Sequence, residues 1–349
     1  REQTPCYLTW TNARTREIIL SNLSRSPMYS GRIRATGTRY CPSIEDKIVR
    51  FADKERHQIF IEPEGLATSE VYVQGMSTSL PADVQVEMLR SLPGLSRCRV
   101  TRFGYAIEYD CLDPMVLTSA LMVRDVPGLF TAGQLNGTSG YEEAAAQGYL
   151  AGVNAAFYIR GEEPFTLARD ESYLGVLVDD LTLLGTPEPY RMMTSRCEYR
   201  LLLRQDNADL RLTEKARRTG LVSDARYARL MQKRERVNRA LETLGRAVPP
   251  SGALAAFLAA RGEPAPKAGA RLFDLLKRPL VSYTELSALY AELLPPLDAD
   301  TLEQVEAAAR YDGYIKKQRE QIERTKSLED TLLPQHYDYM LLSGLRTEA

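Results

Sequence analysis

The amino-acid sequence predicts an α/β domain followed by an α-helical one. Short β-rich runs alternate with helical patterns through the first half, and from about Lys215 helical periodicity takes over. The β-rich runs are CYLTWTN (6–12), HQIFIEP (57–63), EVYVQG (70–75), YAIEYD (105–110) and GLFTAG (128–133). Between them, PSIEDKIVRFA (42–52) sets Ile44, Ile48, Phe51 and Ala52 on one helical face, and PADVQVEMLRSL (81–92) carries Val84, Met88 and Leu92. In the second half, DARYARLMQKRERVNRALETLG gives an apolar stripe of Tyr227, Leu230, Val237, Leu241 and Leu244. Residues 246–270, rich in Ala, Pro and Gly, read as a linker with a short helix inside it, and helical patterns return at 283–293 and 301–326. These shifts set the expected divisions at 1–160, 161–214 and 215–349. There is no internal repeat.

Bulk composition narrows the class. A hydrophobic share of 44% with 26% charged residues is that of a globular protein and excludes a disordered one. No run approaches the ~20 apolar residues of a membrane span. No basic-then-apolar signal opens the chain, so the expected address is cytoplasmic. The chain begins at Arg1 rather than Met, from which a preceding segment is expected. Five scattered cysteines (Cys6, Cys41, Cys98, Cys111, Cys197) without a C-x-x-C pair argue against a disulfide framework and a zinc site. His57 and His336 are too few and too distant for a His-based centre, so no metal is expected.

Forty-five basic against forty-six acidic residues leave a net charge of −1, which gives no global attraction to nucleic acid. The distribution is uneven: Arg191 to Arg239 holds fourteen Lys/Arg and six Asp/Glu. A solvated helix face and a polyanion-binding face both fit that excess.

Three segments carry chemistry. In GLFTAGQLNGTSGYEEAAAQGYLAGVNAA (128–156) an apolar strand enters a Gly-rich turn and an Ala-rich helix. Ser139 and Glu142 have capping-box spacing, and the open N–H groups of such a start favour an anion. Gly137 and Gly140 are expected to let the backbone approach a ligand; a plain β–turn–α packing unit is the alternative. No strand–GxGxxG–helix unit is present, since GTSGYEE spaces its glycines differently. In SPMYSGRIRATGTRYCPSIEDKIVRF (26–51), a helix starting at Pro42 would make Cys41 its N-cap. A thiol there gains from the helix start, Arg39 and Lys47, and is opposed by Glu45 and Asp46. In 170–216, Arg191, Arg196, Arg200, Arg204 and Arg211 recur at four- to seven-residue intervals, a spacing that can line one face and grip successive phosphates.

The same segments resemble the MnmG/GidA family of tRNA-modifying flavoproteins. The matching stretches are FTAGQ-N-GT-GYEEAAAQG, G-RYCPSIEDK-RF, and DE-YLGVLVDDL followed by EPYRM-TSR-EYRL-LR-DNAD-RLT. The resemblance runs along nearly the whole chain and is weakest in 246–300. It departs at Cys197, where the family usually has Ala, and at Phe103 and Cys111. Cys98 matches no motif, and Cys6, in a recognisable segment, has no assigned role.

The resemblance implies part of a glutathione-reductase-like FAD-binding fold followed by an α-helical C-terminal domain. It implies a parent enzyme that installs a carboxymethylaminomethyl or aminomethyl group on C5 of the wobble uridine (U34) of tRNA. FAD and NADH serve as cofactors, with 5,10-methylenetetrahydrofolate as one-carbon source through a partner and glycine or ammonium as co-substrate. The implied FAD contact is Gln134, with Gly133, Asn136 and Gly137 near it. The implied nicotinamide stretch runs from Gly37 to Phe51: Gly37, Arg39, Tyr40, Cys41, Pro42, Ser43, Ile44, Glu45, Asp46, Lys47 and Phe51. Cys41 is the implied catalytic thiol. Implied tRNA contacts are Arg39, Lys47, Arg191, Arg196, Arg200, Arg204 and Arg211, and implied partners are a second copy, as a homodimer, and the GTPase MnmE, in a heterotetramer. The family's GxGxxG fingerprint, second cysteine and final helical unit fall outside this chain, so the chain alone is expected to bind FAD poorly and to be inactive. Two other readings stand beside this one: a folate- and FAD-dependent tRNA uridine C5-methyltransferase, which lacks a long helical C-terminal domain, and a non-catalytic tRNA- or MnmE-binding fragment. A disulfide reductase of the same class is disfavoured by the absence of a redox cysteine pair.

Overall fold

β1 (Tyr7–Trp10) leads into α1 (Ala13–Ser21) through a reciprocal cap. Asn12 Oδ1 accepts from the Thr15 N–H at 3.0 Å, and Thr15 Oγ1 accepts from the Asn12 N–H at 3.3 Å. Two donors that a helix start leaves open are satisfied in this way. The structure is a computed structural model that describes residues 3–34, 42–329 and 331–332. After α1 come α2 (Ile44–Arg50), β2 (Gln58–Pro63), β3 (Val71–Gln74) and α3 (Ala82–Arg90). The strands form an antiparallel sheet in the order β1-β2-β3, with Leu8 opposite Phe60 and Phe60 opposite Gln74. Ile18, Ile19, Ile44, Ile48, Ile59, Val84 and Met88 close one buried cluster between sheet and helices. The apolar positions read from periodicity are therefore the packed ones here. Phe51 and Ala52 are the exceptions, both exposed because α2 ends at Arg50.

Two expected strands are absent. Residues 105–110 have no ladder partner among the described residues, and 128–133 keep only a bridge from Phe130 to Met122. A β-rich run becomes a strand only when a neighbour takes its N–H and C=O groups, and composition does not specify that neighbour.

α4 (Tyr141–Arg160) buries Leu150, Val153 and Phe157 and ends at Gly161, whose φ of 67° supplies the left-handed cap. α5 (Tyr173–Asp179) continues into a wider turn at Asp180–Leu184. The chain divides into two units, Arg1–Thr166 with Leu177–Met192, and Leu167–Val176 with Met193–Ala349. The segment 161–214 is thus shared between them.

The second unit is helical, as expected. It contains α6 (Ala208–Arg217), α7 (Asp224–Leu244), α8 (Gly252–Ala259), α9 (Leu272–Leu276), α10 (Tyr283–Leu289), α11 (Ala299–Arg310) and α12 (Asp312–Glu329). Ser223, Ser251, Ser282 and Asp298 cap α7, α8, α10 and α11, each accepting a backbone N–H from the first turn. Leu230, Val237 and Leu244 of the predicted stripe are buried. Val237 and Leu244 join Leu254, Leu258, Leu272, Leu276, Leu286 and Val305 in one core. The pattern at 301–326 is two helices rather than one, broken at Tyr311. A two-residue ladder, β4 (Ala247–Val248) with β5 (Ala270–Arg271), closes the stretch that reads as a linker.

Candidate functional site

The turn between Thr131 and α4 is organised by one buried glutamine. Gln147 Oε1 accepts from the Gly133 N–H at 3.2 Å and from Asn136 Nδ2 at 2.9 Å. Gln147 Nε2 donates to Thr138 Oγ1 at 2.9 Å, and that hydroxyl donates to the Gly133 carbonyl at 2.9 Å. Asn136 is fully buried and also donates to the Thr131 carbonyl at 3.0 Å. Its Oδ1 and Thr131 Oγ1 are buried without a hydrogen-bond partner. Gln134, in the 3-10 turn Gly133–Asn136, is half-buried, and its amide makes no hydrogen bond among the described residues. Gly133 and Gly137, with φ of 73° and 75°, take the left-handed turn that only glycine adopts freely.

The expected capping box is not formed. The N-cap of α4 is Gly140, not Ser139, and no side chain caps it. The Ser139 N–H instead donates to the Tyr190 carbonyl at 2.8 Å, and Tyr190 N–H donates to the Gly137 carbonyl at 2.8 Å. Residues 137–139 are thereby paired with the EPYRM run, and the Tyr190 hydroxyl donates to Asp180 at 2.7 Å. Spacing alone admitted the box; a φ of 131° at Gly140 turns the chain away from it. Nor does Gly140 leave room for a ligand. A Cβ there would run into the Glu143 carboxylate and the Arg191 guanidinium. Glu143, almost fully buried, accepts from the Met192 N–H at 2.8 Å and pairs with Arg191 Nε at 3.1 Å. At Gly137 a Cβ would meet Thr186 of the same unit at 3.3 Å, so both close approaches are to protein.

The helix expected from Pro42 begins at Ile44. Ser43 is its N-cap, with Oγ accepting from the Asp46 N–H at 3.1 Å. Cys41 is therefore two residues before the cap, and the argument that capping activates its thiol falls. A hydroxyl oxygen is a better acceptor for the first-turn N–H than sulfur. Cys41 itself, with Gly37, Arg39 and Tyr40, lies outside the described residues. Pro42 is half-buried and Ile44 is in the core. Glu45 is fully buried and accepts from both the backbone N–H and hydroxyl of Ser79, at 2.9 and 2.8 Å, while its second oxygen has no partner. Asp46 accepts from the Tyr29 hydroxyl at 3.0 Å. Burial, with that bond, pushes the Tyr29 pKa up to about 12. Lys47 is half-buried.

The arginines do not share a helix face. Arg191 belongs to the first unit and the others to the second. Arg196 closes a short 3-10 turn, Thr194–Arg196, and Arg200 starts a non-helical turn, so Arg200 and Arg204 are not one helical turn apart. Both Arg196 and Arg200 are exposed. Arg204 grips Asp206 through Nε and Nη2 and donates Nη1 to the Leu201 carbonyl at 2.7 Å. Arg211 donates to Asn207 Oδ1 at 2.8 Å, to the Arg204 carbonyl at 3.0 Å and to the Glu171 carbonyl. Burial, then the Arg204 charge, push the Arg211 pKa down. Charge counting does not reveal this partition, because it depends on which guanidinium the turns fold inward.

Two family models match the chain. "Glucose inhibited division protein A" covers residues 1–163, and "tRNA modifying enzyme MnmG/GidA C-terminal helical domain" covers residues 224–319. The chain belongs to the MnmG/GidA family. The helical match falls on the feature that separates this family, in the sequence, from the shorter uridine methyltransferases. A curated relative from Caldicellulosiruptor saccharolyticus, "tRNA uridine 5-carboxymethylaminomethyl modification enzyme MnmG", is 53% identical over 349 residues, covering 100% of this chain and 56% of the relative. One of the same name from Enterococcus faecalis is 52% identical over 350 residues, covering 100% and 55%. A solved GidA structure from Aquifex aeolicus superposes with a TM-score of 0.79 at 43% identity, covering 100% of this chain and 53% of that one. The chain thus spans about half the length of the MnmG/GidA relatives it matches.

Proposed function

We propose that the chain serves in FAD- and NADH-dependent modification of tRNA, installing a carboxymethylaminomethyl or aminomethyl group on C5 of the wobble uridine (U34). The observation that carries this reading is 53% identity to a curated uridine modification enzyme over every residue of the chain. The tRNA, a second copy of the chain, the GTPase MnmE and a folate-borne one-carbon unit are its proposed partners and substrates, and the cytoplasm is its proposed location.

The residues present fit a flavin in one respect on each side of the turn. Gln134 offers an uncommitted amide, and buried Asn136 and Thr131 each keep an acceptor without a partner. In this reading Gln134 and the backbone of Gly133 and Gly137 hold FAD, while Asn136 and Gln147 fix the turn. The 37–51 stretch takes the nicotinamide. FAD supplies two-electron redox chemistry, with NADH as reductant.

C5 of uracil is a poor nucleophile. A thiolate that adds to C6 forms an S–C6 bond and makes C5 enolate-like, able to attack a one-carbon electrophile. Loss of the C5 proton and departure of the thiolate then restore the ring. Cys41 takes one of the two thiol roles, addition to C6 or removal of the C5 proton. The test is Cys41→Ser in the gene encoding this chain, read by mass spectrometry of tRNA nucleosides. Modification should vanish while flavin absorbance and tRNA affinity stay the same. Normal modification in that variant would sink the assignment.

A further inference from the structure

α12 is anchored along one side. Ile322 is buried, Gln318 Nε2 donates to the Glu198 carbonyl at 3.3 Å, and Lys326 pairs with Asp170 at 2.9 Å. At 3.6 residues per turn these three share a face, and the remaining positions form two flanks. One flank mixes Asp312, Glu320 and Glu323 with Lys316 and Arg319. The other carries Tyr314, Lys317, Gln321, Arg324 and Leu328, and no acid. Tyr314 and Leu328 are both 64% exposed. Lys317 and Arg324 are exposed, and neither has an acidic partner among the described residues.

The two cations are seven residues apart, so they project in nearly the same direction about 10.5 Å apart along the axis. Gln318 sits at the edge of this flank, and the carbonyl it grips is that of Glu198, in the stretch between exposed Arg196 and Arg200. Flank and stretch therefore adjoin within one unit.

We propose that the Lys317–Arg324 flank of α12 and the stretch from Arg196 to Arg200 form one surface for an RNA sugar-phosphate backbone. The proposal rests on the tRNA reading above and extends it to a helix outside the arginine-rich segment. Lys317 and Arg324 are held in no ion pair among the described residues, although Glu320 lies three and four residues from them. Exposed cations of this kind complement a polyanion, and the exposed Tyr314 ring beside them offers a stacking face to an unpaired base. A protein partner fits less well. Its interface needs a contiguous apolar core, whereas Tyr314 and Leu328 stand four helical turns apart with polar and charged side chains between them.

The test is tRNA binding by the purified protein, measured by fluorescence anisotropy at several salt concentrations. Lys317→Gln with Arg324→Gln should weaken binding several-fold at about 0.1 M salt and flatten the slope of log affinity against log salt by about one to two units. Lys316→Gln with Arg319→Gln, on the mixed flank, should leave both unchanged. All four positions are solvent-exposed, so circular dichroism melts should match the unsubstituted protein. If Arg196→Gln with Arg200→Gln flattens the slope while the α12 pair does not, the extension to α12 is overturned and the tRNA reading stands. Equal flattening by both flank pairs overturns it too, since the effect would be one of net charge. If the unsubstituted protein shows no salt-dependent tRNA binding, the underlying reading itself fails.

Discussion

Arg204 and Asp206, two residues apart, form a two-pronged ion pair, with Nε 3.0 Å from Oδ1 and Nη2 3.0 Å from Oδ2. The carboxylate also accepts from Gln304 Nε2 of α11 at 2.8 Å, so the pair ties a turn to a helix nearly a hundred residues later.

Arg204→Ala should therefore lower stability rather than merely weaken RNA binding. The two side chains are 17% and 16% exposed. Loss of the arginine should cost about 2–3 kcal/mol, below the range for a fully buried pair because water reaches both groups. Arg200→Ala, at an exposed site, should stay within about 0.5 kcal/mol. The pH dependence has a definite sign. Burial raises the Asp206 pKa, but the Arg204 and Gln304 hydrogen bonds outweigh it and hold it below its ordinary value. The carboxylate's contribution is thus complete above its unfolded pKa of about 3.9 and is lost as pH falls through the folded value. Urea denaturation at pH 7 and near pH 3 should show Arg204→Ala and the unsubstituted protein converging in acid. An undiminished gap at low pH would contradict the assignment.

Gly140→Ala and Gly148→Ala should move stability in opposite directions. At Gly140 the φ of 131° and the crowding by Glu143 and Arg191 make alanine strained, at a cost of about 2 kcal/mol or more. Gly148 sits in the interior of α4, exposed, with no atom near the added Cβ. Alanine there should stabilise by about 0.5–1 kcal/mol. Thermal melts of the two variants decide the matter; a shift of the same sign in both would refute the difference drawn between the sites.

The cysteines should separate by reactivity. Cys197 is buried, and burial raises its thiol pKa despite hydrogen bonding. Cys6 and Cys111 are exposed. Iodoacetamide near pH 8, followed by peptide mass spectrometry, should label Cys6 and Cys111 well before Cys197. Cys197→Ala should leave tRNA modification intact, because the side chain is packed beside Tyr173 rather than offered to a ligand. Early labelling of Cys197 would mean that the site opens.

What was legible in the sequence follows from how local each feature is. Ile44, Ile48, Val84 and Met88 declare their helices because burial has a period that a sequence displays. The stripe Leu230, Val237, Leu244 does the same for α7. Residues 105–110 looked like a strand because β-propensity is local, whereas pairing is not. The Ser139–Glu142 spacing suggests a cap, but the Ser139 N–H donates to the Tyr190 carbonyl, some fifty positions on, and the N-cap is Gly140. The arginines were legible as charge and not as geometry. Arg204 and Arg211 are spent on carbonyls and a carboxylate of their own unit, while Arg200 remains exposed, and nothing in their spacing distinguishes them.

The interleaving of the two units bears on how such a gene can be cut and rejoined. The backbone passes from one unit to the other three times, after residues 166, 176 and 192. A recombination breakpoint at 176 would take Asp180 and Tyr190, and with them the clasp on residues 137–139, from the first unit. A breakpoint at 192 would deprive the second of Asp170 and Glu171, on which Lys326, Lys215 and Arg211 close. A break after 192 keeps the first unit whole and one after 166 keeps the second, but no single crossover in this stretch delivers both.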